Sequence, residues 1–124
     1  MKLETALQNG YQILQKNDIK TALLDSEILL SVAINKSREY IILNCNLDIS
    51  NKEYIYYQKM VNQRSKGKPI AYLTEKKIFW KHEFYVNEKV LIPRPDTEII
   101  IEQVLKIYKN KNNINFLDIG FGSG

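Results

Sequence analysis

With 124 residues, the chain has room for one ordinary domain, or for a small domain and part of another. Apolar residues make up 44% and charged residues 26%, a balance that excludes an intrinsically disordered chain. The formal net charge of +4 is uneven: residues 51–89 carry nine Lys/Arg against four Asp/Glu, and the remainder is slightly acidic. Such a cluster can meet an acidic partner, but it lacks the dense arginine and aromatic interleaving of a dedicated nucleic-acid surface, so direct nucleic-acid binding is not expected. The densest apolar runs, Ile28–Leu30 and Ile99–Ile101, are far too short to span a bilayer, and residues 1–12 lack the apolar core of a signal peptide. A single cysteine, Cys45, cannot form an internal disulfide. The expected setting is a reducing compartment, by default the cytoplasm, with no membrane partner.

Residues 1 to about 67 read as helices. Leu3, Leu7, Tyr11 and Leu14 fall on one helical stripe. A second stripe runs through Ala22, Ser26, Leu29 and Ala33, with Leu23 and Leu30 beside it; either Asp18 or Thr21 can start that helix. Ser37 can begin a short third helix through Leu43. Ser50 caps a fourth, with Tyr54, Tyr57 and Val61 along one side and Gly67 just past its end. Short loops between apolar stripes imply a small antiparallel bundle.

The period changes after Pro69. Short apolar and aromatic runs in KIFWKHEFYV and KVLIP suit a hairpin, with its turn expected within residues 86–90. Pro93 and Pro95 bracket Arg94 and stop that element. A helix is expected from about Asp96 to Tyr108, then a polar loop, then a buried strand over residues 115–119. Interior in a complete sheet, that strand has few partners within residues 1–124 and an exposed edge.

Two segments carry candidate chemistry. FLDIGFGSG is a strand entering a Gly-x-Gly-x-Gly turn, where the absence of side chains permits close approach of a nucleotide-like ligand and positive φ. Asp118, at the strand end, can meet a positively charged ligand group. Taken alone, such a stretch also suits a flexible tail, and it lacks the lysine and Ser/Thr of a P-loop. In LIPRPDTE, residues 91–98, the prolines stiffen the backbone, and Asp96 caps a helix whose first turn also carries Glu98, both favourable to the helix dipole. Those structural roles account for nearly every residue except Arg94. His82 has no evident catalytic partner, and Cys45 reads as a small buried residue. Phe79, Trp80, Phe84 and Tyr85 could stack on a ligand, but packing of the hairpin against a neighbour is the preferred reading. No metal-ligand spacing is present, so no metal is expected.

Together, PIAYLTEKKIFWKHEFYVNEKVLIPRPDTEIIIEQVL and the downstream FLDIGFGSG resemble the HemK/PrmC family, the N(5)-glutamine methyltransferases of peptide chain release factors. The resemblance covers the whole chain, and the IPRPDTE string is its most specific part. It implies an α+β fold: a helical release-factor-recognition domain over 1–70, a β-hairpin linker over 71–94, and over 95–124 the first helix and strand of a Rossmann-like methyltransferase domain, incomplete within these residues. It implies S-adenosyl-L-methionine as cofactor, bound by Gly120, Phe121, Gly122, Ser123 and Gly124 with support from Asp118. Arg94, Asp96, Thr97 and Glu98 are motif positions to which the resemblance assigns no role. The implied partner is a release factor, whose Gly-Gly-Gln loop supplies the glutamine.

Glu75 stands where the family usually has Gly, and Phe121 where a small Thr is common. The Asn-Pro-Pro-Tyr loop that orients the amide nitrogen in this family is absent from residues 1–124, as is the acidic residue expected on the cofactor ribose. No catalytic residue is therefore assigned, and the fragment is expected to be inactive alone. The alternative functions are a nucleic-acid amine methyltransferase that uses the same cofactor, or a protein-binding module without catalysis.

Overall fold

The computed structural model describes residues 1–124 and divides them into two units, Met1–Thr74 and Glu75–Gly124. The architecture is α+β. In the first unit, α1 (Leu3–Lys16), α2 (Ala22–Ile34), α3 (Arg38–Leu43), α4 (Asn51–Ser65) and α5 (Ile70–Thr74) enclose one apolar core. In the second, β1 (Lys76–Phe79) pairs antiparallel with β2 (His82–Tyr85), and a 3₁₀ turn (Pro95–Thr97) leads into α6 (Glu98–Tyr108). No helix is long and apolar enough to cross a membrane.

Helix ends in the first unit follow from local chemistry. Ser50 and Glu53 form a reciprocal capping box at the start of α4, and that bonding holds the Glu53 carboxyl below its usual range. Ser37 caps α3 by accepting from Tyr40 N. Helix α1 has no side-chain cap; instead Leu3 N and Glu4 N donate to the Leu47 and Cys45 carbonyls at 2.9 and 3.0 Å. At their far ends α1, α2 and α4 close alike. Asp18, Asn35 and Gly67 take positive φ (58°, 51° and 95°), and the next residue's N–H returns five positions, to Leu14, Ser31 and Gln63. Asp18 thus ends α1 and does not start α2. Thr21 precedes α2 without a side-chain cap bond, because its hydroxyl donates to Asp25 Oδ2 at 2.9 Å.

Leu14, Leu29, Leu30, Ile41, Tyr57 and Val61 are fully buried. Of the expected stripes, Leu7 and Tyr11 are half-buried while Ala6 and Gly10 face inward, and Leu23 is exposed. Beside the apolar core, Asp25 accepts from Arg64 Nε at 2.7 Å, tying α2 to the end of α4. Arg64 Nη1 also donates to the Lys68 carbonyl at 3.2 Å, so the buried carboxylate and its cation are both held by further hydrogen bonds. Residues 71–74, placed above in the linker, are helical: Pro69 O accepts from Tyr72 N and Leu73 N, and Leu73 joins the core.

At the centre, Ser26 Oγ donates to the Leu7 carbonyl at 3.0 Å. Its proton is thereby committed, so the Tyr57 hydroxyl, 2.6 Å away, is the donor to Ser26. Burial pushes the Tyr57 phenol up to about 12. Gly10 makes the arrangement possible: a β-carbon there would lie 1.8 Å from Tyr57 Oη and 2.8 Å from Ser26 Oγ.

Gly10→Ala gains about 1 kcal/mol of helix propensity but forces a buried aromatic ring to move. A net loss of about 2 kcal/mol is expected in urea unfolding followed by circular dichroism. An unchanged midpoint would mean that Tyr57 can yield. Because the folded-state pKa of Tyr57 lies above the ordinary 10.0, its neutral form stabilises the fold fully below about pH 10, and that contribution disappears as pH rises through about 12. The stability of the chain relative to Tyr57→Phe should therefore fall by about 2 kcal/mol between pH 9.5 and 12. A difference independent of pH would exclude this burial effect.

Candidate functional site

The second unit contains a cleft of about 330 Å³ lined by three stretches that are separate in sequence: the hairpin, the LIPRPDTE segment and the glycine turn. The hairpin contributes Phe79 and Phe84. Register pairs Lys77 with Phe84 and Phe79 with His82, which puts both phenylalanines on one face of the ribbon. Their rings meet edge to face, with centroids 6.1 Å apart and planes at 71°. The other face carries Lys76, Ile78, Glu83 and Tyr85, with a Lys76–Glu83 ion pair at 3.1 Å.

The hairpin turn is Trp80–Lys81, not residues 86–90. Residues 87–90 do form a turn, in which Asn87 Oδ1 accepts from Lys89 N at 3.0 Å, but it follows the ribbon. Both central residues of the Trp80–Lys81 turn have positive φ, 46° and 67°, as a two-residue loop between twisted strands requires. Neither is Gly, Asn or Asp, so the usual turn signal is missing, and the conformation costs about 1–2 kcal/mol per residue. Two contacts offset it. Trp80 N donates to Glu98 Oε1 at 2.9 Å, a bond to a charged acceptor worth about 1.5–3 kcal/mol. The Lys81 ammonium also lies over the indole, 5.9 Å from the ring centroid. Before the ribbon, Glu75 too is left-handed, at φ 58°, a backbone in which glycine carries no steric penalty.

In the LIPRPDTE segment, Arg94 is extended (φ −93°, ψ 142°), as a residue before proline must be, and Pro95 opens the 3₁₀ turn. Thr97 N donates to the Arg94 carbonyl at 3.1 Å, which fixes the backbone where Arg94 borders the cleft. Arg94 and Thr97 line the cleft; Asp96 and Glu98 do not. Asp96 lies inside the 3₁₀ turn and makes no side-chain cap bond, contrary to the capping role expected for it; the short turn makes Thr97 the residue before α6.

Asp118 and residues 120–124 complete the lining. Gly120, Gly122 and Gly124 have φ of 75°, 60° and 103°, conformations that a side chain would strain. Around Gly120 and Gly124 an added β-carbon meets nothing within 4 Å, so glycine is required there by backbone conformation and not by crowding. Gly124 N donates to the Phe121 carbonyl at 3.0 Å, curling the turn, and the Phe121 ring is exposed. Residues 115–119 form no ladder, and Phe116, Leu117 and Ile119 are 70%, 82% and 87% exposed. Helix α6 likewise buries no residue.

The cleft thus offers an aromatic wall, one cation, one carboxylate and an open backbone rim. Sequence reading singled out Arg94, Thr97, Asp118 and residues 120–124, which come together; it ranked Phe79 and Phe84 as hairpin packing ahead of ligand stacking, and it gave Ile101 no role. The same-face register of the two phenylalanines was the available signal. His82 is not among the residues that line the cleft, and no three His, Cys, Asp or Glu side chains converge anywhere in the chain.

The family model described as PrmC N-terminal domain matches residues 5–74. The chain is 41% identical, over 97% of its length, to the release factor glutamine methyltransferase of Leptospira interrogans, and 39% identical over its full length to that of Clostridium acetobutylicum. It is 45% identical over 81% of its length to the protein of the same name from Buchnera aphidicola subsp. Schizaphis graminum. These alignments span 42%, 44% and 36% of the respective relatives, so the chain covers less than half of each. With a family match over more than half of its residues and continuous similarity beyond it, the chain belongs to the HemK/PrmC family.

Proposed function

We propose that residues 1–124 supply the cofactor-approach side of a cytoplasmic enzyme that transfers a methyl group from S-adenosyl-L-methionine to a glutamine amide of a peptide chain release factor. The observation that carries this reading is the meeting of Arg94 and Thr97 with the glycine turn on one cleft. Names of relatives from three bacteria support the substrate.

Gly120, Gly122 and Gly124 would hold the cofactor, with Phe121 and Ser123 between them. Their positive φ values and the open space at Gly120 and Gly124 fit a ligand that packs on bare backbone. When bound, the cofactor supplies an electrophilic methyl group on a sulfonium. Asp118 offers a negative charge to a cationic ligand group, Arg94 offers the opposite charge, and Phe79 and Phe84 keep water from one wall. The remaining chemical problem is the nucleophile. An amide nitrogen shares its lone pair with the carbonyl and needs acceptors that orient its N–H groups. In this family an Asn-Pro-Pro-Tyr loop does so, and residues 1–124 contain no such run. Binding and turnover are therefore separable: residues 1–124 alone hold the cofactor without methylating. The helical domain, residues 1–74, serves recognition of the release factor and its Gly-Gly-Gln loop, residues 75–94 link it to the catalytic part, and residues 95–124 begin that part.

A chimaera tests the assignment. Residues 1–124 are exchanged for the matching residues of the Leptospira interrogans relative, and tritiated cofactor is supplied with release factor or with RNA. Label is expected on the release-factor glutamine and not on RNA, and none is expected with residues 1–124 alone. Label on RNA only would overturn the substrate assignment; label on release factor from residues 1–124 alone would overturn the division of roles. In the chimaera, Gly120→Val places a branched side chain at φ 75°, and affinity for S-adenosylhomocysteine in calorimetry should fall at least tenfold. Unchanged affinity would remove the glycine turn from the site.

A further inference from the structure

Resting on the reading of the cleft as a ligand site, we propose that Glu98 is a positioning residue: its carboxylate fixes the tip of the hairpin to the start of α6 and so sets the two-phenylalanine wall. Glu98 is part of the most distinctive string in the sequence, yet it does not line the cleft, so its role is not contact with a ligand there. What it does touch is the backbone of Trp80, at 2.9 Å.

The geometry explains why that bond matters. In a two-residue loop between strands, the N–H of the first central residue points away from the ladder and has no partner within the hairpin. Trp80 occupies that position. Glu98 supplies the missing acceptor from a rigid place, the first residue of an eleven-residue helix, where negative charge is favoured by the helix dipole. Phe79 immediately precedes Trp80, and its ring rests on Phe84, so anchoring Trp80 anchors the wall. The same segment that presents Arg94 and Thr97 to the cleft therefore also registers the opposite wall against them. An isolated two-stranded ribbon is marginal in water, and this one has no third strand.

Two roles for Glu98 predict different variants. If it served only the helix dipole, Glu98→Gln and Glu98→Ala would behave alike. As a latch, Glu98→Gln keeps an oxygen acceptor and Glu98→Ala does not. The ¹⁵N-labelled chain is followed by amide exchange at Trp80, by Phe79–Phe84 ring contacts in NMR, and by shifts on titration with S-adenosylhomocysteine. Trp80 is the single tryptophan, so its fluorescence gives an independent reading of the tip. Expected for Glu98→Ala are at least tenfold faster Trp80 exchange, weakened ring contacts and about tenfold weaker binding, with the circular dichroism of the helices unchanged. Glu98→Gln should recover most of each. Equal Trp80 exchange in the chain and in Glu98→Ala overturns the latch, as does fast exchange with unchanged binding, which would leave Glu98 a local brace. If the unsubstituted chain shows no shifts with S-adenosylhomocysteine, the cofactor reading fails, and Trp80 exchange with the ring contacts still decides the latch.

Discussion

The helical unit depends on a missing atom. With no β-carbon at Gly10, the Tyr57 hydroxyl reaches Ser26 and Ser26 reaches the Leu7 carbonyl, so one chain of hydrogen bonds crosses α1, α2 and α4 inside an otherwise apolar core. Each donor in that chain has one acceptor, and no buried side-chain polar atom is left without a partner. The apolar residues around it supply most of the burial, but they would tolerate many arrangements of three helices. The polar chain admits far fewer, because a shift of any helix leaves a buried hydroxyl or carbonyl unpaired. The Asp25–Arg64 pair acts in the same way at the edge of the core, where α2 meets the end of α4.

The second unit has little core, and its shape comes from backbone conformation. Left-handed residues set its bends: Glu75 before the ribbon, Trp80 and Lys81 at its tip, Asn113 before the terminal segment, and the three glycines of the final turn. Prolines fix the stretch between, holding Arg94 extended and starting the 3₁₀ turn at Pro95. These are short-range constraints. They shape a concave surface in a segment whose apolar residues, Ile99, Ile100, Leu105, Phe116, Leu117 and Ile119 among them, remain exposed. Local stiffness positions the cleft; burial does not.

That difference explains what could be read in advance. The helices of residues 1–67 were legible because apolar spacing and caps are local: Ser37 and Ser50 start helices, and Gly67 ends one. Asp18 was ambiguous because an aspartate can cap the next helix or close the last one, and only the return bond from Ile19 to Leu14 decides between them. The hairpin turn was misplaced for a similar reason. Asn87 carries a turn signal and does make a turn, whereas Trp80–Lys81 carries none and turns through a carboxylate eighteen residues away in sequence. Of the site, Arg94 was the residue that structural roles left unexplained, and it lies at the cleft. Asp96 looked like a cap because its type and position fitted one; the 3₁₀ turn displaced it by one residue.

The expected strand at residues 115–119 shows where local reasoning stops. Phe116, Leu117 and Ile119 have the composition of a strand buried on both faces, but a strand exists only as a pairing, and these residues have no ladder partner. The glycine turn that follows needs no such partner for its positive φ values, which belong to each residue separately. A cradle of bare backbone can therefore take shape without a paired strand before it, whereas orienting an amide for attack demands acceptors held to within a fraction of an ångström by a packed support. On the proposed reading, this is the physical basis for separating the two tasks: approach of the cofactor rests on conformations that residues 75–124 set themselves, and methyl transfer requires the rigidity that only a completed sheet gives.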